Sequence, residues 1–369
     1  MPTYENDDRI VMTLDAGGTS FRFSAMRGNQ LITPTVTLPS NADNLEHSLN
    51  NIVEGFWATK RKCPASPVAI SFAFPGPAYY PNGIIGDLPN LPAFRGGVAL
   101  GPMLREQFGI PVFINNDGDL FTYGEAIAGF LPHVNKLLEK AGSPKRYKNL
   151  FGVTIGTGFG GGIVRDGELF LGDNSIAGEV WLLRHKTAPA TNAEEGASIR
   201  AVRRSYAIKA GIKMDEAPDP RLISEMGLGT VPGDQKAARE AFRDLGEIVG
   251  DAMGAALTLI DGLAVVGGGL SGAWPLFLPA LVNELNSVYT SPSGHQFSRL
   301  ASRAFNLQEQ HQLEKFIQGD IREIRVPNNG HMLKYDAMPR VGVGISLLGT
   351  SKAVSLGAYA FALRTLDQK

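Results

Sequence analysis

Apolar runs punctuated by glycine turns recur along the chain. Residues 10–14 are apolar and lead into Asp15-Ala16-Gly17-Gly18-Thr19, after which Phe21, Phe23 and Ala25 alternate with Arg22 and Ser24. Period-two alternation across a glycine turn predicts a β-hairpin. A third extended stretch is read near 31–38. Over 43–59, Leu45, Leu49, Ile52, Val53 and Phe56 share one helical face, with Asp43 or Asn44 as the N-cap. Residues 68–74 predict a buried strand stopped by Pro75-Gly76-Pro77, and 112–114 another, ending in Asn115-Asn116-Asp117. Strands in front, then alternating helix and strand, indicate an α/β domain.

The pattern then restarts. Residues 120–128 and 131–138 read as helices, and 142–148 as an exposed basic loop. A strand at 150–155, a turn at Gly156-Thr157-Gly158 and a strand at 161–164 follow, then a tight turn at Asp166-Gly167. Helices are expected near 198–210 and 236–260. A strand at 263–266 ends in Gly267-Gly268-Gly269, and a helix is expected beyond Pro275. Residues 291–340 are polar and receive no assignment, and an apolar helix at 353–366 closes the chain. Two α/β halves, each opening with a hairpin and a glycine turn, suggest a duplicated architecture with a cleft between. The domain reading is a smaller one at 1–118, joined by a C-terminal helix at 353–369, and a larger one at 119–352.

The length of 369 residues fits two domains, and 43% hydrophobic with 19% charged residues is globular. Lys and Arg number 35 against 36 Asp and Glu, a formal net charge of -1. That balance argues against coating nucleic acid or a membrane surface. No apolar run reaches membrane-spanning length, and the polar, acidic N-terminus lacks the features of a signal peptide. Cys63 is the single cysteine, so no internal disulfide or cysteine-based zinc site is expected. These points give an expectation of a cytoplasmic protein.

Glycine is the compositional outlier, with 44 residues against a usual ~7%. A phosphate chain needs backbone N–H donors in a turn free of Cβ atoms, and a hydroxyl helps. Gly17-Gly18-Thr19 and Gly156-Thr157-Gly158 offer both, or else simply close hairpins. Asp15 adds a carboxylate suited to Mg²⁺, directly or through water. Gly156-x-Gly158-x-x-Gly161 formally fits the dinucleotide fingerprint, but strand rather than helix follows it, and no P-loop motif occurs. Asp117 ends a buried strand, where a carboxylate serves as a general base, and Asn116 can pair with hydroxyls. The structural alternative is an Asx turn or helix cap, with Asp119 favoured as the cap. The six histidines, at 47, 133, 185, 295, 311 and 331, have no H-x-x-x-H spacing, so no histidine metal site is expected.

Taken in order, Asp15-Ala-Gly-Gly-Thr19, Pro75-Gly-Pro77, Pro89-Asn-Leu-Pro92, Asn116-Asp117, Gly156-Thr-Gly158 with Gly160-Gly-Gly162, Ala177-Gly-Glu179 and Gly267-Gly-Gly269 resemble the ROK-family sugar kinases. The likeness runs from about residue 9 to about 365. It implies a two-domain ribonuclease-H-like (actin-like ATPase) α/β fold with a central cleft, as in hexokinase, actin and the heat-shock chaperone ATPases. It also implies roles. Asp15, Gly17, Gly18 and Thr19 with Gly156, Thr157 and Gly158 would clamp the ATP phosphates, and Gly267, Gly268 and Gly269 would lie by the adenosine. Gly76, Asn90, Asn116, Asp117, Glu179 and Glu194 match sugar-binding positions, and Asp117 matches the catalytic base.

The chain also departs from the family. The usual Ala-Gly-Glu-x-Gly-His and the cysteine cluster that binds structural zinc are replaced by Glu179-Val180-Trp181-Leu182, and 183–193 holds no cysteine. Trp181, Leu182 and Leu183 are expected to hold this loop by apolar packing. His185 is read as structural, with a substitute sugar contact as the alternative. The first glycine turn comes by residue 15, so the helix-turn-helix domain of the family's repressors is not expected here.

The resulting expectation is an ATP- and Mg²⁺-dependent hexose kinase acting on glucose. The expected partners are a small-molecule sugar and ATP, without nucleic acid or membrane, and homodimer formation is left open. The alternatives are a kinase for an N-acetylated amino sugar or fructose, a non-catalytic sugar sensor, and a chaperone-type ATPase.

Overall fold

The structure, a computed structural model, describes residues 3–76, 78–86 and 92–368. In chain order it opens with β1 (Val11–Ala16), β2 (Ser20–Arg27), β3 (Gln30–Leu31), β4 (Val36–Pro39), α1 (Leu45–Lys60) and β5 (Ala69–Ala73). Then come β6 (Ala78–Tyr79), β7 (Ile84–Ile85), α2 (Leu100–Phe108), β8 (Val112–Asn115), α3 (Asp117–Ala128), α4 (Phe130–Lys140), β9 (Leu150–Ile155), β10 (Phe159–Arg165) and β11 (Glu168–Leu169). The middle holds α5 (Ile199–Ala210), α6 (Pro220–Leu228), α7 (Gln235–Ile260), β12 (Leu263–Gly267) and α8 (Trp274–Leu285). The chain ends with β13 (Val288–Thr290), β14 (Gln296–Ser298), β15 (Arg303–Asn306), α9 (Gln310–Gln318), β16 (Ile321–Arg325), β17 (Met332–Asp336), β18 (Arg340–Ile345) and α10 (Thr350–Asp367).

The chain divides into two compact units. The first is Met1–Gly129 with Gly167–Ala177 and Leu348–Lys369, and the second is Phe130–Asp166 with Gly178–Leu347. The first unit's sheet has the order β3-β2-β1-β5-β8, with β4 also paired to β2. The β1–β2 hairpin is antiparallel, and β5 and β8 add in parallel. The second unit repeats the scheme as β10-β9-β12-β18-β15, an antiparallel hairpin followed by parallel strands. The echo in the sequence is thus an echo of strand order.

Phenylalanines fill the first core, where Phe21, Phe23, Phe56, Phe72, Phe74 and Phe94 are fully buried. Phe23 and Phe56 meet edge-on at 5.1 Å, and Gly55 leaves room for the Phe23 ring on α1. Truncating such a ring to alanine costs about 3–5 kcal/mol. Helices α3 and α10 touch backbone to backbone, because a Cβ at Gly124 or Gly357 would overlap main-chain atoms of Ala353 or Leu120. The C-terminal helix therefore clamps the helix that Asp117 begins. In the second unit, Gly246 and Gly250 let α7 lie equally close to α8.

Of the two N-cap candidates for α1 it is Asn44 that caps, its side chain accepting from the N–H of His47. Other expectations are corrected. Asn116, not Asp119, caps α3, and Asp119 is buried in the first turn. Helix α8 starts at Trp274 with Pro275 inside its first turn, where the missing N–H costs no hydrogen bond. Helix α6 lies in a stretch given no assignment from the sequence. Within 291–340 lie the hairpin β16–β17, the parallel strand β15 and α9. No helix among the described residues is long and apolar enough to cross a membrane.

Candidate functional site

In the first unit, strand register collects the expected residues. Asp15 pairs with Ala73, and Ala73 with Asn115, so the C-terminal ends of β1, β5 and β8 lie in one row. Such an edge is where α/β sheets bind ligands. The glycine turn, Gly76, Asn116 and Asp117 all follow directly from this row. The turn is tied by the N–H of Gly17 donating to the Ser20 carbonyl at 3.1 Å. The Ser40 hydroxyl donates to the Gly18 carbonyl at 2.6 Å, and the Ser40 N–H to the Thr19 carbonyl at 3.1 Å. Nothing lies within 4 Å of where a Gly18 Cβ would stand, so the turn is open on that side.

The exposed Asp15 carboxylate has no hydrogen-bond partner among the described residues. An unengaged carboxylate beside an open phosphate-sized turn fits Mg²⁺, which takes one or two protein carboxylates and completes its shell with phosphates and water. Among the described residues, no three His, Cys, Asp or Glu side chains cluster to hold a metal by themselves.

Asp117 opens α3. Its Oδ1 accepts from the N–H of Gly118 at 2.9 Å, and Asn116 Oδ1 accepts from the same N–H at 2.7 Å. Asn116 therefore spends its carbonyl on the cap and keeps its amide N–H groups to offer. Asp117 is exposed, and partial desolvation by the surrounding protein pushes its pKa up, against the backbone N–H groups that lower it. An accessible carboxylate with a raised pKa has the chemistry a general base needs. Asn90, and the rest of the 89–91 stretch, lie outside the described residues, as does Pro77.

In the second unit, β9 and β12 run parallel, and Thr154 pairs with Gly267. That register brings Gly156, Thr157 and Gly158 beside Gly267, Gly268 and Gly269. A Cβ on Gly156 would stand 3.8 Å from the N–H nitrogen of Gly269. Gly268 has φ +89 and is pressed against the Ile155 backbone, so glycine is required there. Gly269 and Thr157 are exposed.

Both ends of the 156–158 turn are fastened to residues 193–199. The N–H of Ile199, the first residue of α5, donates to the Gly156 carbonyl at 2.8 Å. At the other end Glu194 Oε2 accepts from the N–H of Phe159 at 3.0 Å and lies 2.7 Å from where a Gly158 Cβ would be. The α5 N-terminus, capped by Ser198, thus points its positive end at the turn.

Glu179 precedes a short helical turn at Val180–Leu182 and accepts from the Trp181 indole N–H. Gly178, with φ +87, packs on Gly161, where a Cβ would meet the Gly178 carbonyl at 2.6 Å. Trp181 and Leu183 pack on the core, but Leu182 is 60% exposed, so apolar packing of the loop excludes Leu182. His185 is bound into its own loop. It is buried, and its Nδ1 accepts from the N–H groups of Thr187 and Ala188 at 3.2 and 3.1 Å. Burial first, and the nearby Arg204 second, push its pKa down.

Sequence reading missed Ser40, which ties the 16–19 turn, and Asn192, which holds the start of the 193–199 segment. Ser40 and Asn192 act through contacts distant in sequence or through loop geometry and left no signal.

Residues 11–309 match the profile of the ROK family. A crystal structure of glucokinase from Parabacteroides distasonis is 53% identical, covers 98% of this chain and 99% of that one, and superposes with a TM-score of 0.90. An N-acetyl-D-glucosamine kinase from Vibrio parahaemolyticus is 30% identical over 168 residues, 45% of this chain and 50% of that protein. A glucokinase from Thermotoga maritima is 27% identical over 201 residues, 54% of this chain and 58% of that protein. The chain thus spans about half the length of these two curated relatives.

Proposed function

The chain belongs to the ROK family, and from that premise we propose that it is an ATP-dependent hexose kinase that phosphorylates the 6-hydroxyl of glucose. The observation that carries the reading is Asp117, an accessible carboxylate with a raised pKa on the strand edge that also bears Gly76 and the 16–19 turn. Asp117 takes the proton of the sugar 6-hydroxyl as that oxygen bonds to the γ-phosphorus of ATP and the bond to the ADP oxygen breaks. The N–H donors at 16–19 and 156–158, with the α5 N-terminus, take up charge on the phosphoryl oxygens. Asp15 would hold Mg²⁺, which neutralises charge on the phosphates when bound. Gly267, Gly268 and Gly269 border the adenosine. Asn116, Glu179 and Glu194 would contact sugar hydroxyls, the role the family resemblance also implies for Asn90, and Glu194 braces the 156–158 turn.

Glucose as the acceptor is supported by the 53% identity to the Parabacteroides distasonis glucokinase over nearly the whole chain. An N-acetylated amino sugar is the second reading, favoured by the partial match to the Vibrio parahaemolyticus enzyme. A non-catalytic sensor would have no use for a tuned base and two phosphate turns. Dependence on ATP and the lone Cys63 support a cytoplasmic setting. The test is ADP release with glucose, fructose, N-acetylglucosamine and N-acetylmannosamine in turn. Turnover is expected to be fastest with glucose. Preference for an N-acetylated sugar would transfer the assignment, and no sugar-dependent ADP would remove it.

A further inference from the structure

The loop at 184–192 contains no cysteine and closes on itself around one imidazole. The Ala193 N–H donates to the Leu183 carbonyl at 2.7 Å, and the His185 N–H to the Thr191 carbonyl at 3.0 Å. Within the loop, the N–H groups of Thr187 and Ala188 both converge on His185 Nδ1. On the ring's other side, a Cβ at Gly196 would lie 2.5 Å from His185 Nε2, so the imidazole sits flush on the backbone that leaves Glu194. Asn192 Oδ1 accepts from the Glu195 N–H at 3.3 Å, and the Ser198 hydroxyl donates to the Glu194 carbonyl at 3.0 Å. The ring, loop and 193–199 segment form one hydrogen-bonded block, and that block holds both ends of the 156–158 turn.

We infer that His185 is a positioning residue: as a hydrogen-bond acceptor it fixes the 184–192 loop, and through Gly196 and Glu194 it fixes the turn that binds nucleotide phosphates. This rests on reading that turn as a phosphate site. The chemistry required is an acceptor at the Nδ1 position. A shape-filling apolar group would give up both bonds to the loop N–H groups and leave the loop without its internal anchor. Asparagine places its amide oxygen near that position, whereas glutamine carries its oxygen out toward the Nε2 position.

The test compares His185→Asn, His185→Gln and His185→Ala with the parent by hydrogen exchange at Thr187 and Ala188 and by calorimetric binding of MgADP. Exchange in the Ala and Gln variants is expected to quicken about tenfold, and MgADP affinity to fall about fivefold or more. Asn should restore both to within about twofold. A His185→Ala chain that fails to fold leaves the Asn–Gln contrast to decide. Equal exchange in Asn and Gln variants overturns the strap. Asn-rescued exchange with MgADP affinity equal in all forms overturns its coupling to the turn. Absence of MgADP binding in every form, with exchange still rescued by Asn, refutes the phosphate-site reading instead and leaves the strap standing.

Discussion

The glycine turn at 16–19 stands open. No atom comes within 4 Å of the place a Cβ on Gly18 would take, and the bonds that hold the turn come from one neighbouring serine and its own hairpin. The turn at 156–158 is enclosed, with Glu194 under Gly158, Ile199 on Gly156 and the Gly268 loop against Ile155. Both grow from the same strand order and similar residues. The open turn carries a free carboxylate, Asp15, and suits a shared cation. The enclosed turn lacks a comparable free acid, since Glu194 is engaged, and it contributes N–H donors and a helix terminus. Similar local sequence thus sits in two electrostatic settings, decided by what packs behind each turn.

The largest effect is expected outside both turns, and it shows whether they serve one reaction. Asp117→Asn keeps the shape and should lower kcat by roughly 10²–10⁴-fold with sugar KM changed only a few-fold. Because desolvation by the surrounding protein raises the pKa of the exposed Asp117 carboxylate, its ionisation opposes folding at neutral pH. The folded form holds this proton more tightly than the unfolded one. The stability linked to the proton is therefore full below the unfolded pKa and is lost as pH rises through the folded pKa. Asp117→Asn should consequently melt no earlier than the parent at pH 7, and the difference should close as pH falls below about 4. The acid limb of kcat/KM in the parent should lie above the ordinary aspartate range.

Gly268→Ala attacks the enclosed turn. With φ +89 and the Ile155 backbone in the way, it should cost about 2–4 kcal/mol, read by denaturant melts. Asp15→Asn attacks the open one. It should leave the melting temperature near the parent's and raise the Mg²⁺ concentration for half-maximal rate by roughly tenfold, the equivalent of about 1.4 kcal/mol. Gly18→Ala should be smallest in stability, within about 0.5 kcal/mol, with ATP KM rising because the methyl occupies the phosphate side. Equal stability losses at Gly18 and Gly268 would erase the contrast between the turns.

Both hairpins were legible in the sequence because alternation such as Phe21-Arg22-Phe23 and clustered glycines are local signals. The buried strands at β5 and β8 were legible through their apolar runs and hard stops. Strands β16 and β17 were not, because both faces of that ribbon are largely exposed and no buried stripe forms. The α3 cap was misread because Asn116 and Asp119 are both capping residues, and where β8 ends decides between them. Leu182 was misread because an apolar side chain does not reveal that its loop turns it to solvent. The bonds from Glu194 to Phe159 and from His185 to its loop depend on folded geometry, and residue type alone does not announce them.

The central claim, transfer of the ATP γ-phosphoryl group to a sugar 6-hydroxyl, is tested most directly by the product. Phosphorus NMR of the protein with MgATP and glucose should show a hexose 6-phosphate resonance growing one for one with ADP, and 6-deoxyglucose should give neither. ADP and inorganic phosphate without a sugar phosphate, or equal turnover with 6-deoxyglucose, would contradict it.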